Sequence, residues 1–471
     1  MNVQGKHIHF VGIGGAGLSA IARVLMEKGA HVSGSDLRLS SVAEQLQRDG
    51  AQVYVGHSAD QIEGADILVV SSAIPADNVE VVAAKERGIP TFGRPGFLGQ
   101  LMEAETGIAI AGTHGKTTTT AMVTTIMLNS ERDPSFIVGG VIQQWNTNAR
   151  AGRERVFIIE ADEYDRTFLE LQPQIAVITN IEHDHPDCYP TLDSYRAVFE
   201  EFARQVPEDG LLAICWDDPN ARGLGLRLRE EGKAVAFYGL DEEAEWRAEH
   251  IRPNFAGGVD FLARHQGRTL GLVRLRVPGE HNASNAMAAL IVTSALDVPF
   301  HQARMALTEF RGVGRRFDVK GVIDDVTVID DYAHHPTEIR ATLRAARQRF
   351  PKATIWAVWQ PHTFSRTKAL FDKFTTSFAD ADHVIILPIY GARETDTLGI
   401  SNQDIVDAMD GNARSAASME QAVVWLGTEV KRGDVVLTLS AGDGNQVGEW
   451  LLRVLHSARV RSLNQSEESV K

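Results

Sequence analysis

The chain has 471 residues, room for two to four domains whose cores need no disulfide or metal staples. Lys and Arg number 47 against 62 Asp and Glu, and the net charge of −15 disfavours a nucleic-acid partner. Two cysteines, Cys188 and Cys215, make neither a disulfide framework nor a metal spacing; no apolar run spans a bilayer and no signal peptide leads the chain, so it reads as cytoplasmic and soluble, with no membrane engagement.

From residue 7 the pattern alternates strand and helix. His7-Ile-His-Phe-Val11 leads into Gly12-Ile-Gly-Gly-Ala-Gly17 and a helix to Gly29, then a strand ends at Asp36. Helices near 41–48 and 79–86 and strands at 52–55, 67–71 and 89–92 complete a small parallel α/β unit over residues 1–103. The glycines, with Asp36 near the expected acidic position, fit a dinucleotide site. They fit a UDP-linked substrate equally well, because a glycine turn at a helix start binds any pyrophosphate.

A second unit spans 104–315. The apolar run Ile108–Ala111 ends in Gly112-Thr-His-Gly-Lys-Thr117, followed by Thr118 and a helix. Backbone N–H groups there face phosphates, Lys116 reaches the β/γ oxygens, and a Thr117 or Thr118 hydroxyl meets Mg²⁺. The rival is a threonine-rich helix cap, which has no use for the lysine. Val156 to Glu163 and Ile175 to His185 read as strands delivering acids and imidazoles to the edge where the loop emerges. Beside a triphosphate loop these suit Mg²⁺ ligation, although caps or solvated turns use the same residues. Residues 246–277 read as a small β excursion. Asn282 and Asn285 either cap the helix that follows or contact a base.

Phe310 to Phe317, with Arg315 and Arg316, reads as a hinge or a solvated basic loop. The third unit, 316–456, alternates again, with strands at 326–329, 354–358, 383–387 and 435–439 and helices near 337–349, 366–379, 402–409, 419–429 and 446–455. Its strand ends carry Asp331, His334 and His335, Gln360 to Arg366, Tyr390 to Glu394, and Ser440 to Asp443, where an open parallel sheet forms its ligand crevice. Residues 457–471 are polar and read as a disordered tail.

In this order the segments resemble the Mur ligase family, the ATP-dependent amide-forming enzymes of peptidoglycan precursor synthesis. The likeness covers the chain to about residue 456 and implies three domains: an N-terminal Rossmann-like UDP-binding domain, a central P-loop ATPase-type α/β domain and a C-terminal Rossmann-like α/β domain. The Gly112–Thr117 loop, which has Ile110 where the general pattern has glycine, matches the family's own variant. Within the family the glycine turn, Asp331 to Pro336 and the Gln360-Pro-His362 and Ser365-Arg366-Thr367 segments resemble the branch that adds L-alanine to UDP-N-acetylmuramate, and its close relative that attaches a recycled tripeptide.

The resemblance implies ATP and two Mg²⁺ ions, with UDP-N-acetylmuramate and L-alanine as substrates, in a monomer or homodimer. It assigns Lys116, Glu163, His185, His334 and Arg366 to catalysis and Thr117, Glu163 and His185 to metal. ATP would meet Gly112, Thr113, His114, Gly115, Lys116, Thr117, Thr118, Asn282, Asn285, Arg315, Arg316 and Asp331. The UDP-sugar would meet Gly12, Gly14, Gly15, Gly17, Asp36, Ser72, His183 and His335. Two departures stand out: Phe199 occupies the place of a carbamylated lysine found in several branches, though not the alanine-adding one, and Thr363 stands where many members have Arg, a duty that falls to Arg366 or Arg393. The alternatives are the tripeptide ligase, favoured by Tyr164-Asp165-Arg166, and a nicotinamide dehydrogenase built on the glycine turn.

Overall fold

A computed structural model describes residues 1–409, 411 and 413–468. Three sheets follow one another along the chain. In the first, Gln52–Val55, His31–Asp36, His7–Val11, Ile67–Val70 and Thr91–Gly93 lie side by side, all parallel. The order reverses beside His7–Val11, so the glycine turn emerges at the switch point where such sheets bind ligands.

The second sheet has ten strands. Its centre is Thr106–Ala111, flanked in parallel by Ile175–Ile178 and Val156–Glu160. These runs are buried on both faces, which is why they read as continuous apolar segments rather than alternating ones. The β excursion is an antiparallel meander, Trp246–Pro253, Val259–His265 and Arg268–Arg274, that extends this sheet. Ser135–Ile142 and Thr147–Arg150 extend the other end.

In the third sheet, Val326–Asp331, Val435–Ser440, Ile355–Gln360, His383–Ile386 and Ala413–Ser415 are parallel, and Asp318–Ile323 pairs antiparallel at the edge. That edge strand fills the stretch between the hinge and the strand at 326–329, where the sequence predicts no element. The single helix expected near 366–379 is two short ones, Phe364–Ala369 and Phe371–Thr375. The final helix runs Gln446–Glu468, so the tail expected beyond 457 is helical where it is described; residues 469–471 lie outside the described residues. Among the described residues no helix is long and apolar enough to cross a membrane.

Candidate active site

Three strand ends of the middle sheet open onto one crevice. Gly112 to Gly115 turn there, and the helix Lys116–Asn129 follows without a side-chain cap, leaving its first N–H groups for an anion. Gly115 holds φ at 83°, and a Cβ on it would come within 2.8 Å of Asn285 Oδ1; both conditions require glycine. Lys116 Nζ donates to the carbonyls of Gly112 (2.6 Å) and Thr113 (3.2 Å) and pairs with Glu163 at 2.8 Å. Burial opposes the charges of Lys116 and Glu163, yet each holds the other ionised: the amine moves up and the carboxylate down. Glu163 also accepts from the Tyr195 hydroxyl at 3.1 Å and lies 3.7 Å from His185 Nε2.

The Thr117 hydroxyl donates to Glu160, not Glu163, at 3.0 Å, and the other Glu160 oxygen accepts from the Gly139 amide at 2.7 Å. Glu160 was not among the expected site residues; as the first acid after an apolar strand it carried the same signal as Glu163. Thr117, Glu160 and Glu163 supply the oxygen donors that hard Mg²⁺ takes, and His185 stands beside them, its Nε2 3.7 Å from Glu163. Phe199 is buried against Phe168 and Tyr195 and offers this crevice no ligand atom.

Across the crevice stand the strand ends of the third domain. Arg366 Nε donates to Asp184 Oδ1 at 2.8 Å, and both side chains are under 8 % exposed. Burial works against the Asp184 charge, but Arg366 and His185 hold its carboxyl far below the usual range. Arg393 is exposed. Thr363 instead caps the helix that carries Arg366, its hydroxyl accepting from the Arg366 amide. His334 Nδ1 donates to the Tyr332 carbonyl at 3.0 Å, leaving Nε2 as the unprotonated nitrogen. Burial pushes this imidazole down to about 3, so it is neutral.

A cavity between the middle and third domains is lined by His114, Asn282, Asn285, Arg316, Asp331 and Glu338, and Gly115 and Thr118 reach it too. Asn282 donates to the Pro278 carbonyl and Asn285 to Asn282, a buried chain at the start of the helix Glu280–Ala295. Burial raises Asp331 to about 6, and its oxygens accept from the amides of Phe317 and Ala333. Arg315 turns away, to Asp330 and the carbonyl of Ser440, so of the basic pair Arg316 lines the cavity. Glu338 and Phe317, unforeseen in the sequence, line it as well.

A second cleft, about 890 Å³, separates the first and middle domains and is lined by Gly15, Gly17, Ser72, Arg94, Tyr164 and Arg166, among others. Gly12 and Ile13 donate their amides to the Ser35 carbonyl, and Asp36 Oδ2 accepts from the Gly14 amide at 2.9 Å, which fixes the turn. A Cβ on Gly17 would come within 2.5 Å of Arg94 Nη1, so the glycine admits this guanidinium to the helix start. Asp165 and Arg166 are consecutive left-handed residues (φ 51° and 58°), a strained pair at the cleft wall. Two residues expected at the sugar nucleotide lie elsewhere: His183 bonds the Tyr189 carbonyl at 2.7 Å, and His335 is fully buried against His114.

Comparison with known proteins agrees with this layout. Residues 7–106 match the model of the Mur ligase family catalytic domain, 110–293 the Mur ligase middle domain, and 315–442 the Mur ligase glutamate ligase domain. The chain is 42 % identical over 451 residues to a UDP-N-acetylmuramate–L-alanine ligase of Caldanaerobacter subterraneus subsp. tengcongensis, covering 95 % of this chain and 97 % of that protein. The crystal structure of the UDP-N-acetylmuramate-alanine ligase of Thermotoga maritima superposes with a TM-score of 0.80 at 28 % identity, covering 96 % of this chain and 99 % of the other. A murein peptide ligase of Psychrobacter arcticus superposes with a TM-score of 0.69 at 26 % identity and the same coverage.

Proposed function

Because the chain belongs to the Mur ligase family, we propose that it joins L-alanine to the lactyl carboxylate of UDP-N-acetylmuramate, converting ATP to ADP and phosphate through an acyl phosphate. A carboxylate is a poor acyl donor because an oxide ion leaves badly. Its oxygen attacks the γ-phosphorus of ATP, the bond to the bridging oxygen breaks, and ADP leaves. The alanine amine then adds to the acyl carbon, the tetrahedral species expels phosphate, and the nitrogen loses its proton. Phosphoryl transfer of this kind is mostly positioning and charge neutralisation.

Lys116 would exchange Gly112 O and Thr113 O for the β/γ oxygens, and Asn282, Asn285 and Arg316 would enclose the nucleoside end. Bound Mg²⁺, held by Thr117, Glu160, Glu163 and His185, would offset phosphate charge. The glycine turn, the uncapped start of the helix Ala16–Glu27 and Arg94 suit the diphosphate of the sugar nucleotide, with Ser72 on the cleft wall. His334 Nε2 is free to accept a hydrogen bond from the incoming amine, and Arg366 stands beside it on Asp184. The working units are residues 1–103, 104–315 and 316–456, in a cytoplasmic monomer or homodimer. What carries the reading is the meeting of the phosphate loop and the acids of its neighbouring strand ends with third-domain strand ends across Asp184–Arg366.

Phosphate release from ATP and UDP-N-acetylmuramate, scanned across amino acids, tests it: release with L-alanine and a product of the corresponding mass is expected, and release indifferent to the sugar nucleotide sinks it. The likeness to the murein peptide ligase and the Tyr164-Asp165-Arg166 wall keep the tripeptide ligase as a second reading. Single-turnover product mass with L-alanine against L-Ala-γ-D-Glu-diaminopimelate separates the two.

A further inference from the structure

We propose that Glu338 is a positioning residue: a buried strut that carries the docked state of the third domain to the phosphate loop through His114. The inference rests on the ligase reading above. Glu338 is the third residue of the helix Pro336–Arg349, and its two oxygens have different duties. Oε2 faces its own helix start, accepting from the amides of His334 (3.1 Å) and His335 (3.3 Å). This is an ordinary capping box. Oε1 leaves the helix and lies 3.3 Å from His114 Nδ1 and 3.5 Å from Arg316 Nη1.

His114 is equally committed on its own side. Its Nε2 is 3.1 Å from Glu182, its amide donates to Asn180 Oδ1 at 2.8 Å, and its carbonyl accepts from the Thr179 hydroxyl at 2.6 Å. Both ring nitrogens therefore face carboxylates, one from each domain, which is the environment of an imidazolium. His114, Glu182 and His335 place ligand-type atoms within 4.8 Å of one another. With both His114 nitrogens directed at carboxylates, a proton rather than a metal fills that gap. Two residues after His114 comes Lys116, so tilting this loop moves the lysine that must find the γ-phosphate. One carboxylate thus joins the phosphate loop to its own helix start and to Arg316, and a third domain that swings away breaks the contact with His114.

Steady-state assays of the full chain with ATP, UDP-N-acetylmuramate and L-alanine test this in Glu338→Gln, His114→Asn and the double variant. Glutamine keeps an oxygen for the cap and loses the charge. Each single variant is expected to lower kcat about 10- to 100-fold, the scale of one charge-assisted hydrogen bond, with KM for the sugar nucleotide unchanged. The double variant should be no worse than the poorer single one. Wild-type kcat in Glu338→Gln, or single losses that multiply in the double variant, overturns the strut. If the wild type itself makes no phosphate, the ligase reading has failed instead. Small-angle scattering then still reads the strut: both singles should be more expanded than the wild type, and equal radii of gyration reject it.

Discussion

The middle domain meets its two neighbours in opposite ways. Toward the first domain it shares a hydrophobic core: Phe97, Leu98 and Leu101 of the helix Arg94–Met102 belong to one cluster with Phe168 and Leu171, and a Cβ on Gly99 would come within 2.2 Å of the Glu170 carbonyl oxygen. Toward the third domain, among the described residues, no apolar cluster crosses the boundary. The contacts there are polar, among them Asp184–Arg366, His114–Glu338, Gln143–Asp318 and Glu280–Arg344. Apolar contact depends on area and holds two bodies as one, whereas a charge pair holds a single geometry and can be exchanged for water or phosphate. The first two domains therefore form a common platform, and the third is a docked body whose position is a variable.

The largest expected effects come from striking each boundary in turn. Phe168→Ala removes a ring stacked on Phe202 at 4.6 Å and should cost about 3–5 kcal/mol of folding stability, read by calorimetry as a lower melting transition. Arg366→Met leaves Asp184 buried without its partner, about 3–5 kcal/mol against the docked arrangement. Scattering should show an expanded molecule with the melting of the first two domains unmoved. Interchanged outcomes would abolish the distinction. Lys116→Met should leave both boundaries intact and raise the barrier by roughly 2.7–4 kcal/mol, about 10²- to 10³-fold in phosphate release.

A pH titration sharpens the contrast further. The groups facing His114 are Glu182, Glu338 and His335; burial opposes its charge, but the two carboxylates lift it from 6.5 to about 9. A raised imidazole contributes stability that is complete below its ordinary value and is lost as pH rises through about 9, and the part owed to Glu338 is docking stability. Glu182, also opposed by burial but drawn down to about 2 by His114 and His335, contributes above the ordinary carboxylate range and loses that contribution as pH falls through about 2. Third-domain docking should therefore weaken beyond pH 9 while the apolar boundary is unmoved. Scattering across pH 6 to 10 reads this, and expansion that persists unchanged in His114→Asn would assign the effect to other groups.

Legibility in the sequence follows the same division. The strands that build the platform were visible because a buried parallel strand is an uninterrupted apolar run, as in Ile108–Ala111, and the phosphate loop because glycine, lysine and threonine stand in fixed order. The edge strand Asp318–Ile323 escaped notice because Asp318, Lys320 and Gly321 interrupt its apolar residues, so it lacks that uninterrupted run. Pair identities were harder. Nothing local tells Thr117 to choose Glu160 over Glu163, or Arg366 to reach Asp184 from a point 182 residues later in the chain. Glu338 reads from sequence as a capping glutamate, which it is; its second oxygen acquires meaning only when another domain is laid against it.

The smallest prediction separates a boundary held by a few buried pairs from one held by the sum of its charges. Arg344 and Glu280 approach to 3.3 Å across the same boundary as Asp184 and Arg366, yet the arginine is 64 % exposed. Water screens such a pair and ordering its long side chains costs entropy, so Arg344→Gln should change docking by less than about 1 kcal/mol. Its radius of gyration and kcat should match those of the wild type. If Arg344→Gln opens the molecule as far as Arg366→Met does, burial is irrelevant and the third domain is held by long-range attraction. That alternative carries its own signature, because long-range attraction falls away as salt rises to about 1 M, where the screening length is about 3 Å. A buried Asp184–Arg366 contact, being closer than that length and shielded from ions, should survive the same salt.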